Sequence, residues 1–300
     1  MKKILILMFV LISLLTFADD PVVIASKIDT EGALLGNMMV LVLGENGIPV
    51  EDRTEFGTTS VIRSAIINGE IDLYPEYTGN GGFFFEGIDP EIWKNAQKGY
   101  EMVKKLDYEA NKIVWLTPAN ANNTWAIAIR KDFAEKENIY SLSDFAAYIN
   151  NGGYVKLAGS EEFITRPDSL PAFQKTYGFE LKADQLITFS GGNTAQTERA
   201  AALGIDGVNA AMAYGTDGAL AALGLIVLED DLEVQPVYEP TPIIREEVLN
   251  QYPEIANLLQ PVFESLYLEV LQSLNSKIAI EGQNAKKVAE AYLKENGFIE

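Results

Sequence analysis

The sequence predicts an α/β protein built as two lobes with a cleft between them. Three observations carry this reading. Short β-type runs alternate with helical stretches between residues 22 and 76. A second alternation of the same kind occupies 123–214. Two extended segments, 225–231 and 234–244, then read as a return toward the first unit, and from Arg245 onward the pattern is almost wholly helical. Strand-helix-strand order favours parallel sheets covered by helices. Three hundred residues, 48% hydrophobic and 22% charged, are enough for two cored lobes.

The chain opens "MKKILILMFVLISLLTFADD". Two lysines, an apolar run from Ile4 to Leu15 and the small residues Thr16 and Ala18 have the layout of a secretory signal cleaved after Ala18. A spanning helix needs ~20 apolar residues, so the run is short for a membrane anchor. Residues 1–18 are therefore read as a signal peptide. With no cysteine for lipid attachment, the mature chain is expected to be soluble and periplasmic.

"VVIA" (22–25) is a buried strand, and "EGALLGNMMVLVLGENG" (31–47) is a helix stopped near Gly44 or Gly47. Residues 51–56 form a strand. "GTTSVIRSAIING" (57–69) is a helix with hydroxyl residues at its start and Gly69 at its end. Its pairs Val61/Ala65 and Ile62/Ile66 form an inward stripe. The threonines at its start fit either capping or an anion site. "IDLYPE" (71–76) is the third strand. In the second unit, "NTWAIAIR" (123–130), "YVKLAG" (154–159) and "VNAAMAY" (208–214) are strands, with helices at "SLSDFAAYI" (141–149) and "TERAAALG" (197–204). Ligands of open α/β sheets sit beyond the carboxyl ends of the strands. "YPEYTGN", "RPDS" and "AYGTDG" all follow strands, so all three are expected to face the cleft.

Much chemistry is missing. There are no cysteines and no histidines, which removes thiolate nucleophiles, disulfides, the commonest general base and the commonest transition-metal ligand. There is no nucleophile elbow, phosphate loop, dinucleotide fingerprint or calcium loop. No cofactor and no metal is expected. Carboxylate chemistry stays open at Glu76, Asp72 and Asp217, although 43 acidic residues put some on loops in any case. "NNT" at 122–124 matches a glycosylation sequon. The net charge of −20 becomes −22 if Lys2 and Lys3 leave with the signal, which points away from nucleic acid and anionic membranes.

The stretch "DLYPEYTGN" (72–80) resembles the signature of the substrate-binding proteins of ABC transporters for glycine betaine, choline, carnitine and related osmoprotectants. "ASKIDTEGALLGNM", "ANNTWAIAIRKDF", "EEFITRPDSLPAFQKTYGF", "AMAYGTDGALAALGLIVLEDD" and "VQPVYEPTPIIR" follow the order of that family, so the resemblance spans nearly the whole mature chain. "YPEYTGN" with "NNTWA" looks like a subgroup of low-affinity binders. The resemblance implies a type II periplasmic-binding-protein fold, with lobe 1 at 19–122 and 225–300 and lobe 2 at 123–224. It implies a monomeric, non-enzymatic receptor that closes on a ligand and serves a membrane permease. It places an aromatic cage on Tyr77, Trp125, Tyr214 and Tyr238, and a polar end for a carboxylate on Lys27, Asn80 and Arg166, with Asn123 beside them. Trp125 stands where relatives usually carry tyrosine, and Asn80 where many carry threonine.

These residue types suit a quaternary ammonium group. Its charge is diffuse and it has no hydrogen-bond donor, so fork-type hydrogen bonds cannot recognise it, whereas aromatic faces, with their negative quadrupole, can hold it. An unoccupied Lys27/Arg166 pair would meet choline with nothing to neutralise it, so betaines are expected to bind somewhat better. Other small solutes, such as an amino acid or a sulfonium compound, and a periplasmic dehydratase or hydrolase on the same bilobal fold, are the rival readings.

Overall fold

The computed structural model describes residues 20–300. The signal segment read at 1–18 lies outside the described residues. In chain order the strands are β1 (Val22–Lys27), β2 (Val50–Gly57), β3 (Leu73–Tyr77), β4 (Ile113–Trp115), β5 (Trp125–Arg130), β6 (Leu157–Ser160), β7 (Leu186–Phe189), β8 (Ala210–Tyr214), β9 (Leu225–Val227) and β10 (Pro240–Arg245). They form two five-stranded sheets, ordered β2-β1-β3-β10-β4 and β7-β6-β8-β5-β9. Each sheet is mixed. β1 runs parallel to β2 and β3, while β10 lies antiparallel between β3 and β4. In the second sheet β6 is parallel to β7 and β8, and β5 is antiparallel to β8 and β9.

The first lobe is cored by the helix Thr30–Glu45, which is buried on almost every side. Its sequence is apolar all round, as a fully buried helix must be. Leu34, Met38, Met39 and Leu43 pack against Leu259, Phe263, Leu271 and Leu293 of the C-terminal helices 254–264, 268–279 and 285–295. Those helices thus belong to the first lobe, although 100 residues of second lobe precede them. The second core gathers Phe145, Leu157, Phe163, Phe173 and Met212, and takes in Tyr77 and Tyr238 from the junction.

Two expectations need correction. The extended segment 225–231 does not return to the first sheet: β9 pairs with β5, Ala128 opposite Val227 and Arg130 opposite Leu225, so the second sheet runs past the boundary drawn at 224. Only from Pro240 does the chain rejoin the first sheet. The cause is the uniformly apolar run "LIV", which any open sheet edge accepts. In the helix Thr59–Ile67, Ile62, Ala65 and Ile66 are buried, but Val61 is 50% exposed. Its side chain instead lies against Gly57, whose missing Cβ leaves the space. Thr58 at the head of that helix makes no side-chain capping bond.

The chain passes between the sheets in two adjacent crossings, 116–124 and 228–239. They are tied together by Asn123 N donating to Tyr238 O (2.9 Å) and Tyr238 N donating to Asn122 Oδ1 (2.8 Å). The Asn122 side chain is thereby engaged in the fold rather than displayed as a sequon.

Candidate functional site

One narrow cavity, about 30 Å³, lies at the junction of the lobes. Tyr77, Trp125, Tyr214 and Tyr238 all line it, and so do Lys27, Asn80, Asn123 and Arg166. Ile28, Asp29, Thr58, Thr59, Glu162 and Gly192 complete the wall. Residues 188 positions apart in the chain, from Ile28 to Thr216 behind the wall, are drawn together only by the two-lobed fold.

The placement of each ring has a local cause. Trp125 and Tyr214 are register partners on β5 and β8, so both project from one face of the second sheet. Their ring centroids are 4.8 Å apart at 40°, and Phe163 backs Trp125 at 5.4 Å. Tyr77 ends β3 and turns into the short helical turn Thr78–Asn80. That turn is docked on the second crossing, where Thr78 N donates to Glu239 O (3.1 Å) and the Thr78 hydroxyl donates to Val237 O (3.0 Å). Tyr238 lies flat against Gly79. A Cβ there would come within 2.7–2.9 Å of three Tyr238 ring atoms, so the glycine of "YTGN" is needed for this close approach.

The polar end differs from a bare positive corner. Lys27 Nζ donates to Glu76 Oε1 at 2.7 Å and stands 4.7 Å above the Tyr77 ring. Glu76 also accepts from Asn80 Nδ2 (2.6 Å), from the Tyr74 hydroxyl (2.8 Å) and from Tyr77 N (2.8 Å). Asn80 Oδ1 accepts from Arg166 Nη2 (2.8 Å). Arg166 in turn grips Asp168 with Nε (2.6 Å) and Nη2 (2.7 Å), and Glu162 with Nη1 (2.9 Å). A continuous polar chain therefore runs from the first lobe to the second: Lys27, Glu76, Asn80, Arg166, Asp168. Burial is the largest single influence and works against the Arg166 charge, but Asp168, Tyr238 and Glu162 together outweigh it, so its pKa lies above the ordinary arginine value. Arg166 also lies 4.3 Å from the centre of the Phe83 ring.

A second polar hub sits behind Tyr77. Glu31 accepts from the Tyr77 hydroxyl (3.1 Å), from Asn123 Nδ2 (2.8 Å) and, on its other oxygen, from Asn275 Nδ2 (2.8 Å). Asn123 also bonds the Thr216 hydroxyl (2.7 Å), and Asn275 bonds Thr216 O (3.2 Å). The loop after β8 is thereby held by a crossing strand and by helix 268–279. Gly218 in that loop lies so close to Gln272 that a Cβ would overlap its carbonyl oxygen.

Burial raises the Glu31 pKa from 4.5 to about 7, against the lowering effect of its hydrogen bonds. The folded chain thus binds this proton more tightly than the unfolded chain. The stability this provides is complete below pH ~4.5 and is lost as pH rises through about 7. Glu31→Gln is expected to remove that part of the slope, up to roughly 3 kcal/mol between pH 4.5 and 8. Denaturant melts of both proteins at pH 5 and pH 8 check this; equal losses on raising the pH would refute it. A residual slope of the same sign remains from the buried Glu198–Asp217 pair, whose carboxyls are both raised, mainly by burial.

Sequence reasoning missed Asp29, Glu31, Glu162 and Asp168, and read Glu76 only as a possible acid catalyst. Glu76, Asp72 and Asp217 are instead structural: Asp72 accepts from Val23 N (2.9 Å) and Arg245 Nη1 (2.7 Å), and Asp217 from Tyr214 N (2.6 Å) and the Thr194 hydroxyl (3.0 Å). The adjacency of Glu76 to Tyr77 in "YPEY" was the one available signal. Among the described residues no group of acidic side chains is arranged to hold a metal, and no helix is long and apolar enough to cross a membrane.

Two α/β lobes joined by paired crossings around an aromatic cavity define a solute-binding protein. The chain belongs to the family of substrate-binding domains of ABC-type glycine betaine transport systems, whose model matches residues 20–295. It is 57% identical over 293 residues to the glycine betaine-binding protein YehZ of Escherichia coli K12, covering 98% of this chain and 96% of that protein. It is 33% identical over 285 residues to the glycine-betaine-binding protein of Pseudomonas aeruginosa PAO1, covering 92% and 88%. The solved structure of apo YehZ from E. coli superposes with a TM-score of 0.68 at 58% identity, covering 93% of this chain and 99% of that one. The expected bilobal periplasmic-binding-protein fold is therefore the observed one, and the chain is a transporter's binding protein rather than an enzyme.

Proposed function

We propose that this protein captures a quaternary-ammonium osmolyte, glycine betaine first among them, in the cavity between its lobes and delivers it to the permease of an ABC importer. The observation that carries this is the convergence of four aromatic rings from both lobes on one cavity with a polar chain at its edge. Tyr77, Trp125, Tyr214 and Tyr238 act as the cage for the onium group. Each face contributes ~0.5–2 kcal/mol. Lys27 keeps two N–H donors beyond its bond to Glu76, and Arg166 keeps one on Nη1 beyond its five bonds. These donors, with the second N–H of Asn80 Nδ2, hold the carboxylate of a betaine, while Asn123, whose two side-chain N–H bonds go to Glu31 and Thr216, shapes the wall beside them. Ligand bridging the lobes stabilises the closed form, which the permease recognises. The protein works as a monomer in the periplasm after loss of residues 1–18.

Titration of the purified protein with glycine betaine, proline betaine, carnitine and choline tests this reading. Calorimetry and tryptophan fluorescence are expected to report one saturable site per chain, with Trp125 as the optical reporter. Absence of heat and of any spectral change with all four compounds at millimolar concentration would refute it. Slow chemical turnover of any of them would point to the enzyme alternative.

A further inference from the structure

The charges around the cavity do not balance. Its two cations are both engaged: Lys27 with Glu76 at 2.7 Å, and Arg166 with Asp168 at 2.6 Å and Glu162 at 2.9 Å. Three carboxylates already answer these two positive charges. A further acid, Asp29, lines the same cavity, and among the described residues it forms no ion pair. Its Oδ1 accepts from Gly32 N (2.8 Å) as the cap of helix 30–45. It is only partly buried, and it sits opposite the second lobe: a Cβ on Gly192 would be 3.9 Å from the Asp29 Cβ and 3.4 Å from the Tyr214 hydroxyl. Asp29 therefore stands beside one wall of the cage, facing across the gap between the lobes.

We infer that Asp29 is the counter-charge for the cationic head of the ligand, and that it sets how the site divides its affinity between net cations and zwitterions. This rests on the reading of the cavity as an onium site and adds to it a specificity-determining residue. The sequence alone suggested that an empty Lys27/Arg166 pair would disfavour choline. That pair is not empty, so the penalty on a ligand without a carboxylate falls away. An unpaired carboxylate at the cage attracts the onium charge of choline with nothing subtracted. For glycine betaine the same carboxylate also repels the ligand's own carboxylate, and part of the gain cancels. Burial raises the Asp29 pKa, and Glu162 adds to this while the Gly32 N–H and Lys27, already paired with Glu76, work against it.

Asp29→Asn is the decisive variant. Asparagine caps a helix as well as aspartate does, so Gly32 N keeps its acceptor and only the charge is removed. Calorimetric titration of wild type and variant with choline and with glycine betaine, at pH 7.5 in low and in 0.5 M salt, separates the outcomes. Choline affinity is expected to fall about tenfold in the variant and glycine betaine affinity by threefold or less, with the difference shrinking in high salt. Losses within twofold for both ligands, with thermal stability unchanged, would reduce Asp29 to a helix cap and overturn the inference while leaving the onium site intact. A wild-type protein that takes glycine betaine but no choline overturns it as well. A wild type that binds neither overturns both this inference and the functional reading beneath it.

Discussion

Tyr214→Ala is expected to weaken glycine betaine binding by about 30-fold or more. Tyr214 closes the second-lobe side of the cage and lies 4.8 Å from Trp125, its register partner. A desolvated aromatic face contributes about 2 kcal/mol to a bound cation, and 1.4 kcal/mol is a factor of ten. The loss exceeds one face because Trp125 is then free to lean into the vacated space. Among the described residues the Tyr214 hydroxyl makes no hydrogen bond, and the residue is only partly buried, so the variant should remain folded. Tyr214→Phe keeps the face and is expected to bind within threefold of wild type. Tyr77→Phe serves as a contrast, because it removes the 3.1 Å bond to Glu31 as well. Calorimetric titration of the three variants decides the matter: a Tyr214→Ala protein with wild-type affinity would show that the onium group sits elsewhere.

Arg166→Ala is expected to cost about 3 kcal/mol of stability and to abolish measurable binding together with it. The guanidinium is buried, and its removal strands Asp168, Glu162 and the Asn80 oxygen at once. Breaking a buried ion pair from one side costs ~3–5 kcal/mol. The lower end applies because Glu162 and Asp168 keep 20% and 28% side-chain exposure and rehydrate in part. For a chain of this size that corresponds to a fall in Tm of roughly 6–12 °C. Arg166→Lys should rescue little, because a lysine cannot make the two-toothed contact with Asp168 that Nε and Nη2 make at 2.6 and 2.7 Å. Thermal melts and titrations of both variants test this. Full stability in Arg166→Lys would mean that the polar chain between the lobes acts through charge alone.

Most of the scaffold was legible because periodicity is a local property. Ser141 heads a helix with a complete capping box, Gly47 and Gly69 sit at positive φ just beyond helix ends, and "WAIAIR" is a strand. The run "LIV" at 225–227 was read as a strand but assigned to the wrong sheet. An apolar tripeptide states that it is extended, and says nothing about which edge it will join. Strand β7, "LITF", was overlooked because its residues are only part-buried at a sheet edge and carry no clean alternation.

Identity and order along the chain determined by themselves that this is a two-unit α/β protein without thiol or imidazole groups, and, through the family resemblance they carry, named eight side chains that line one cavity. They did so because strand and helix preferences, and the aromatic contexts "YPEYTGN", "NNTWA", "AYGTDG" and "VQPVYEP", are written in consecutive residues. Tertiary structure alone decided how charge is shared around the cavity. With 43 acidic residues no local pattern says that Glu76 takes Lys27, that Asp168 and Glu162 take Arg166, or that Asp29 forms no ion pair among the described residues. An ion pair is set by distances of a few ångströms between segments tens of residues apart, and those distances exist only once both lobes have packed.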